Sequence, residues 1–379
     1  MKRPLHVSAS FDSGAIEVVG IDGDRVDVAI REDRTGDPEV HFRQWFHFRV
    51  GGCAGRELTI RFVNAGSCFI PGGWDGYRVC ASLDTESWFR LDTTYEQGVM
   101  TARCTPASDA IYLAYFEPYP WHRHQALLGR AARDPRVQLA DLATTADGRE
   151  LGAITVGNPA GKPVWVIGRQ HPGESMAEWY LEGLVDALLD PHDSLSRTLL
   201  DRACFHLVPC MNPDGAGRGN LRTNAHGVDL NRQWSEPSPG RAPEVFAVRE
   251  RMEATGCALF LDVHGDEELP YVFVAGNDSL PGFSDRDRQR QTLFTDQFVL
   301  AAPDFQTERG YPPRPFSDQT LKLASKWVGH RFGCLALTLE MPFKDNANLP
   351  DAGRGWSGAR ARALGAASRV PMLAVLRAG

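Results

Sequence analysis

The spacing of apolar residues changes character near residue 117. Before it, AIEVVG, DRVDVAI, HFRQWFHFRV, RELTIRFVN, GYRVCASL, SWFRLDTTY, GVMTARC and AIYLAYF are short runs rich in Val, Ile and aromatics. They often alternate polar with apolar positions, and Gly, Asp and Asn punctuate them, as in strands. Evenly spaced short strands with no helix between them predict an antiparallel sandwich or small barrel. Trp45, Phe46, Phe48, Trp88 and Phe89 read as its core rather than as a binding stripe.

At EPYPWHRHQALLGRAARD (117–134) prolines end the strand run and a helix follows. From about residue 150 strands and helices alternate. ITV, VWVIG, CFHLVPC, ALFLDVHG, YVFVAG and CLALTLEMPF read as strands, and helices are expected near 175–190, 194–203, 243–255, 287–301 and 357–377. Apolar strands alternating with helices predict an α/β domain, a mixed but mostly parallel sheet covered on both faces. The expected organisation is an all-β antiparallel sandwich over 1–118 and an α/β domain over 119–379. The segment 303–330, with YPPRP, reads as a long irregular excursion of the kind that lines sites.

The 379 residues, 42% hydrophobic and 23% charged, suit a soluble globular protein of two domains. The net charge is −7 (41 basic against 48 acidic residues), without a Lys/Arg-rich block, which argues against nucleic acid or an anionic membrane as partner. The start, MKRPLHVSASFDSGA, lacks the apolar stretch of a secretory signal, and no run reaches the roughly 18 apolar residues of a membrane span. Eight scattered cysteines with no CxxC pair predict buried, reduced thiols and a cytoplasmic protein.

Ligands of open α/β sheets bind beyond the carboxyl ends of the strands. VWVIG is followed by HPGE, with His171 and Glu174. CFHLVPC leads to MNPDG and GNLRTNAHGVDLNRQW, ALFLDV to His264-Gly265, and CLALTL to Glu340. Taken alone, HxxE is a surface turn and His264 a satisfied buried histidine. Together, two imidazoles and a carboxylate make the ligand set of a catalytic zinc, with one position left for water. Such a site also needs a group that takes the water's proton and passes it to a leaving amine; Glu340 is the candidate. Arg222, Asn231 and Arg232 form a carboxylate-binding set, and one arginine could instead stabilise an oxyanion. Asp229 is placed to accept a hydrogen bond from a metal-bound histidine.

The ordered set HPGE, NPDG, GNLR, GVDLNR, DVHG and LTLE resembles the zinc carboxypeptidases of the M14 family, over roughly 160–345. PYPW and the strand-rich first part are similar to the cytosolic carboxypeptidase subfamily, whose members carry a β-sandwich before the catalytic domain. The resemblance implies one zinc per chain at His171, Glu174 and His264, with Glu340 as base and then acid. It also implies Arg222 on the carbonyl oxygen, and Asn231 with Arg232 on the terminal carboxylate of a peptide or protein substrate. A mixed eight-stranded sheet is implied as well.

Pancreatic-type members have a tyrosine that covers the substrate, for which Tyr311 is the nearest candidate here. Side-chain preference has no fixed motif. Lys322, Lys326, His330 and Arg331 could make a cationic pocket that favours C-terminal glutamate. Two other readings stay open: a zinc amidohydrolase acting on N-acyl amino acids, resembling aspartoacylase or desuccinylase, and a non-catalytic binding protein.

Overall fold

A computed structural model describes residues 3–37 and 39–378. Residues up to 114 form two five-stranded sheets packed face to face. One is ordered His6–Ser8, His47–Gly51, Ala110–Ala114, Cys80–Ser82, Trp88–Arg90; the other runs Glu17–Asp22, Arg25–Ala29, Leu58–Phe62, Val99–Cys104, Asp92–Glu96. Pairing is antiparallel except between Arg25–Ala29 and Leu58–Phe62. Trp45, Phe46, Phe48 and Trp88 are buried as expected. Phe89 is not: the period-2 alternation that buries Trp88 and Arg90 turns it outward, 38% exposed.

The second part is a seven-stranded mixed sheet ordered Val137–Thr144, Glu150–Gly157, Ala203–Val208, Lys162–Gly168, Leu259–Asp266, Leu335–Pro342, Phe273–Ala275. The four strands from Ala203–Val208 to Leu335–Pro342 are parallel, and all pairings outside them are antiparallel. The described residues thus give seven strands rather than eight. Beside the edge strand Phe273–Ala275, a single parallel bridge from Val272 to Phe305 stands where another strand would add.

Helices Met176–Leu189, Ser194–Arg202, Pro243–Thr255 and Asp285–Ala301 fall where the apolar period places them. The last expected helix is two, Gly358–Ala367 and Arg369–Ala378. Pro371 has no N–H to donate back to residue 367, so the ladder restarts across Ser368. The segment 303–330 is irregular only in its first part; a 3-10 turn at Thr320–Lys322 and a helix at Ala324–Phe332 follow.

The two parts share one continuous core. Tyr115 stacks on Phe343 at 4.3 Å, and buried Arg90 donates to the carbonyls of Phe343 (2.8 Å) and Trp356 (3.1 Å). The eight cysteines are all unpaired, and the sulfurs of Cys257 and Cys334 approach to 3.8 Å. No described helix is long and apolar enough to cross a membrane.

Candidate active site

The turn carrying HPGES begins with a strained residue. Arg169, directly after the strand Lys162–Gly168, has φ +56°, a left-handed conformation costly for a side-chain-bearing residue. Its fully buried guanidinium secures the bend: Nε donates to the Pro172 carbonyl at 2.9 Å, and Nη1 donates to the Tyr119 carbonyl at 2.8 Å and pairs with Glu178. Gly173 donates to the Leu221 carbonyl at 2.9 Å, and a Cβ there would press on that oxygen. The turn is thereby locked to the GNLR segment.

His171, Glu174 and His264 converge, and one ligand atom from each lies within 4.8 Å of the others. His171 Nδ1 is 2.6 Å from Glu174 Oε1, and His264 Nδ1 is 2.8 Å from Glu174 Oε2. Each ring turns its other nitrogen to a carboxylate: His171 Nε2 to Asp229 at 3.1 Å, His264 Nε2 to Asp262 at 2.8 Å. That arrangement turns Nε2 of each ring to an outer carboxylate and Nδ1 inward, the orientation that metal-bound histidines adopt. Burial works against ionisation of Glu174, but the two imidazoles outweigh it and hold its carboxyl below the usual range. Burial likewise opposes a charged His264, yet Asp262 and Glu174 raise its pKa well above the ordinary value. Two nitrogens and a carboxylate, all buried and each imidazole anchored behind, fit a divalent metal.

Glu340 reaches the same place through sheet register, because it is paired with His264 across parallel strands. Its Oε1 lies 3.1 Å from the Tyr311 hydroxyl, which also donates to Asp266 at 2.6 Å. Its Oε2 is buried and has no partner among the described residues. Burial holds this carboxyl well above its usual range; Glu174 and Asp266 add to the effect, and His264 opposes it.

Asp229 joins the metal cradle to the arginine set. One oxygen faces His171, and the other accepts from Arg222 Nε at 2.7 Å. The same carboxylate takes the Asn231 backbone N–H (2.9 Å) and caps the 3-10 turn Leu230–Arg232. Asn231 holds Ala324 N at 2.9 Å and lies 3.3 Å from His264 Nε2. Arg232 donates to the Asn231 carbonyl. Burial lowers its pKa, and the nearby charges of Arg222 and Arg314 add to that against Asp229.

The pattern of the family described as zinc carboxypeptidase matches residues 124–353. The chain belongs to the zinc carboxypeptidase family. Its first part, residues 7–116, matches the cytosolic carboxypeptidase N-terminal domain. A metallo-carboxypeptidase from Burkholderia cenocepacia superposes with a TM-score of 0.96 at 48% identity, covering 99% of this chain and all of that one. A metallo-carboxypeptidase from Pseudomonas aeruginosa, in complex with (2-guanidinoethylmercapto)succinic acid, gives 0.92 at 42% identity over 97% and 98% of the two chains. Mouse cytosolic carboxypeptidase 6 is 28% identical, over 87% of this chain and 64% of its own length. As a family member the chain is a metal-dependent exopeptidase, a hydrolase acting on peptide C-termini.

In this carboxypeptidase the cationic run proposed for a specificity pocket is dispersed. Lys326 donates to the Gly276 carbonyl, Arg331 pairs with Glu253 at 3.5 Å, His330 is exposed, and the Lys322 carbonyl receives Trp234 N. No hydrogen bond or ion pair links these four side chains to the metal cradle among the described residues. They lie on and beside the helix Ala324–Phe332, whose inward face, Ala324, Ser325, Trp327 and Val328, is taken by core packing.

Other site residues had gone unread. Asp262, two positions before His264 on the strand Leu259–Asp266, shares its face, and that i, i+2 relation was the available signal. Gln170 donates to Asp262 (2.8 and 2.9 Å) and accepts from Trp234 Nε1 (2.8 Å). NPDG is structural: Asn212 caps the short helix Pro213–Arg218 and donates to the Gln170 carbonyl. Glu267 is buried nearby, and burial with the charge of Glu174 pushes its carboxyl up to about 8.

Proposed function

We propose that the chain is a zinc carboxypeptidase in which His171, Glu174 and His264 hold one Zn²⁺ and Glu340 is the proton-transfer group. Bound there, zinc supplies Lewis acidity and a water that is nucleophilic near neutral pH. Glu340 takes a proton from the attacking water and returns it to the leaving nitrogen. Its unpartnered Oε2 is free for the first step, and the proton taken there serves the second. Arg222, fixed through Nε, offers its terminal nitrogens to the scissile carbonyl oxygen. Asn231 and Arg232 take the substrate's terminal carboxylate, with Tyr311 beside them as cover.

The observation that carries this reading is the register of His264 on Glu340, with Asp229 bonded to both His171 and Arg222. A preference for C-terminal acidic residues is the finer part of the proposal. It rests on Arg314, an exposed cation in the loop that carries Tyr311 and near enough to Arg232 to lower its pKa, rather than on the Lys326 helix. The division at 118/119 and a cytoplasmic site of action, supported by the unpaired cysteines, complete it.

The test incubates zinc-loaded protein with a peptide library varied at its last residue, and reads the products by mass spectrometry. Loss of single residues from free-acid peptides, fastest for Glu, with amidated peptides untouched, is the expected outcome. Cleavage of N-acyl amino acids in place of peptides would overturn it in favour of an amidohydrolase.

A further inference from the structure

The segment that carries Arg222 is built as much by the first part of the chain as by the second. Asp33 lies in the long connection between strands Arg25–Ala29 and His47–Gly51, is 7% exposed, and points its carboxylate into the catalytic part. There it accepts three consecutive backbone N–H groups: Leu221 at 2.7 Å, Arg222 at 2.8 Å and Thr223 at 2.9 Å, with the Thr223 hydroxyl at 3.1 Å. Asp33 is itself held, its N–H bonded to the Phe42 carbonyl.

Both flanks of the segment touch the sandwich too. Gly219 has φ +68°, and a Cβ there would lie 2.6 Å from the Ser13 carbonyl oxygen. Gly227 has φ +73°, and its Cβ would lie 2.5 Å from the Arg34 carbonyl oxygen. Only glycine permits these approaches. The guanidinium then sits by two sandwich aromatics, with its central carbon 5.7 Å from the Phe42 ring and 5.5 Å from the Phe69 ring, and these rings meet edge to face. Phe69 is 38% exposed and so contributes little as a core residue. Over an arginine, its face has a use.

Resting on the role given to Arg222 above, we propose that Asp33, Phe42 and Phe69 are positioning residues for catalysis, through which the N-terminal sandwich sets where the Arg222 guanidinium meets the substrate carbonyl. Asp33 fixes the backbone from which the side chain springs. The two rings and Asp229 then fix the plane of the guanidinium. A carboxylate that takes three adjacent N–H groups cannot be replaced by water without letting that backbone drift, and orientation errors of about 1 Å cost rate on the order of a hundredfold.

The test is a double-mutant cycle on the zinc-loaded full chain, with kcat, KM, zinc content and thermal midpoint measured for each variant. Asp33→Asn is expected to lower kcat ten- to a hundredfold, with less than threefold change in KM and zinc still one per chain. In an Arg222→Ala background the same substitution is expected to change kcat less than twofold, because what Asp33 positions is gone. The pair Phe42→Leu, Phe69→Leu leaves the Asp33 hydrogen bonds in place. It should lower kcat three- to tenfold with Arg222 present and be silent without it, a check that does not depend on how well Asp33→Asn folds. Wild-type kcat in both single backgrounds overturns the proposal. So does a loss of equal factor with and without Arg222, or one that tracks lost zinc. If the wild type releases no residue from any free-acid peptide, the carboxypeptidase reading fails instead, and the cycle is then measured on the N-acyl amino acid that is cleaved.

Discussion

Glu340 leaves one carboxyl oxygen buried without a partner among the described residues, an arrangement that costs on the order of 1–3 kcal/mol and that function would explain. Replacing it tests that requirement. Glu340→Gln should lower kcat by about 10²–10⁴ while zinc content and thermal midpoint stay at wild-type values; a kcat within a few-fold of wild type would remove it from the mechanism. His264→Ala should abolish stoichiometric zinc, read by elemental analysis. Asp262→Asn should retain the ligands but weaken zinc binding about 10–100-fold in chelator competition, because the imidazole loses the carboxylate that orients it. At this scale the sequence was informative where chemistry dictates residue type. The residues proposed as ligands, base and carboxylate binders follow strand ends, and that they gather at one place was readable there. Asp262 was passed over although it stands two positions before His264 on one strand face, and Asp33 could not be read, since only its distance to a segment 188 residues away reveals it.

Among the elements, the helix Pro243–Thr255 carries a charge that folding penalises. Glu244, in its first turn, is 1% exposed, and burial raises its carboxyl to about 7, with Asn224 as partial compensation. The folded protein therefore holds a proton that the unfolded chain releases near its ordinary value of about 4.5. Stability from this group is full below that pH and lost as pH rises through about 7, a decline of roughly 3 kcal/mol. Glu244→Gln should match wild type at acidic pH and exceed it at pH 8 by up to about that amount in urea titrations. Parallel stability–pH curves for the two proteins would refute the assignment. The strands Lys162–Gly168, Leu259–Asp266 and Leu335–Pro342 were legible because a parallel strand buried on both faces shows as an unbroken apolar run. The helix Ala324–Phe332 was not: nine residues with an internal glycine, entered from a proline-rich loop, give too little period to see. The split of the last helix was available in Pro371 and was masked by the continuing apolar pattern on either side.

For the molecule as a whole, the question is whether a sandwich and an α/β domain melt separately. Their cores are continuous, Arg90 is buried between them and donates to the carbonyls of Phe343, Arg354 and Trp356 in the second part, and Asp33 holds the backbone of residues 221–223 from the first. Exposing either surface alone would strand Arg90 and leave three N–H groups of residues 221–223 without their acceptor, each a cost comparable to a lost buried hydrogen bond. Intermediates with one part folded should therefore be sparsely populated. Calorimetry of the zinc-loaded chain is expected to give one transition, with van't Hoff and calorimetric enthalpies in a ratio near one. If the proposed zinc binds only the folded state, chelation should move that single transition down as a unit, and free zinc at about a thousand times its Kd should restore roughly 4 kcal/mol. Two resolved transitions, with only the second sensitive to zinc, would show that the sandwich folds independently. They would also weaken the case that it helps to build the active site.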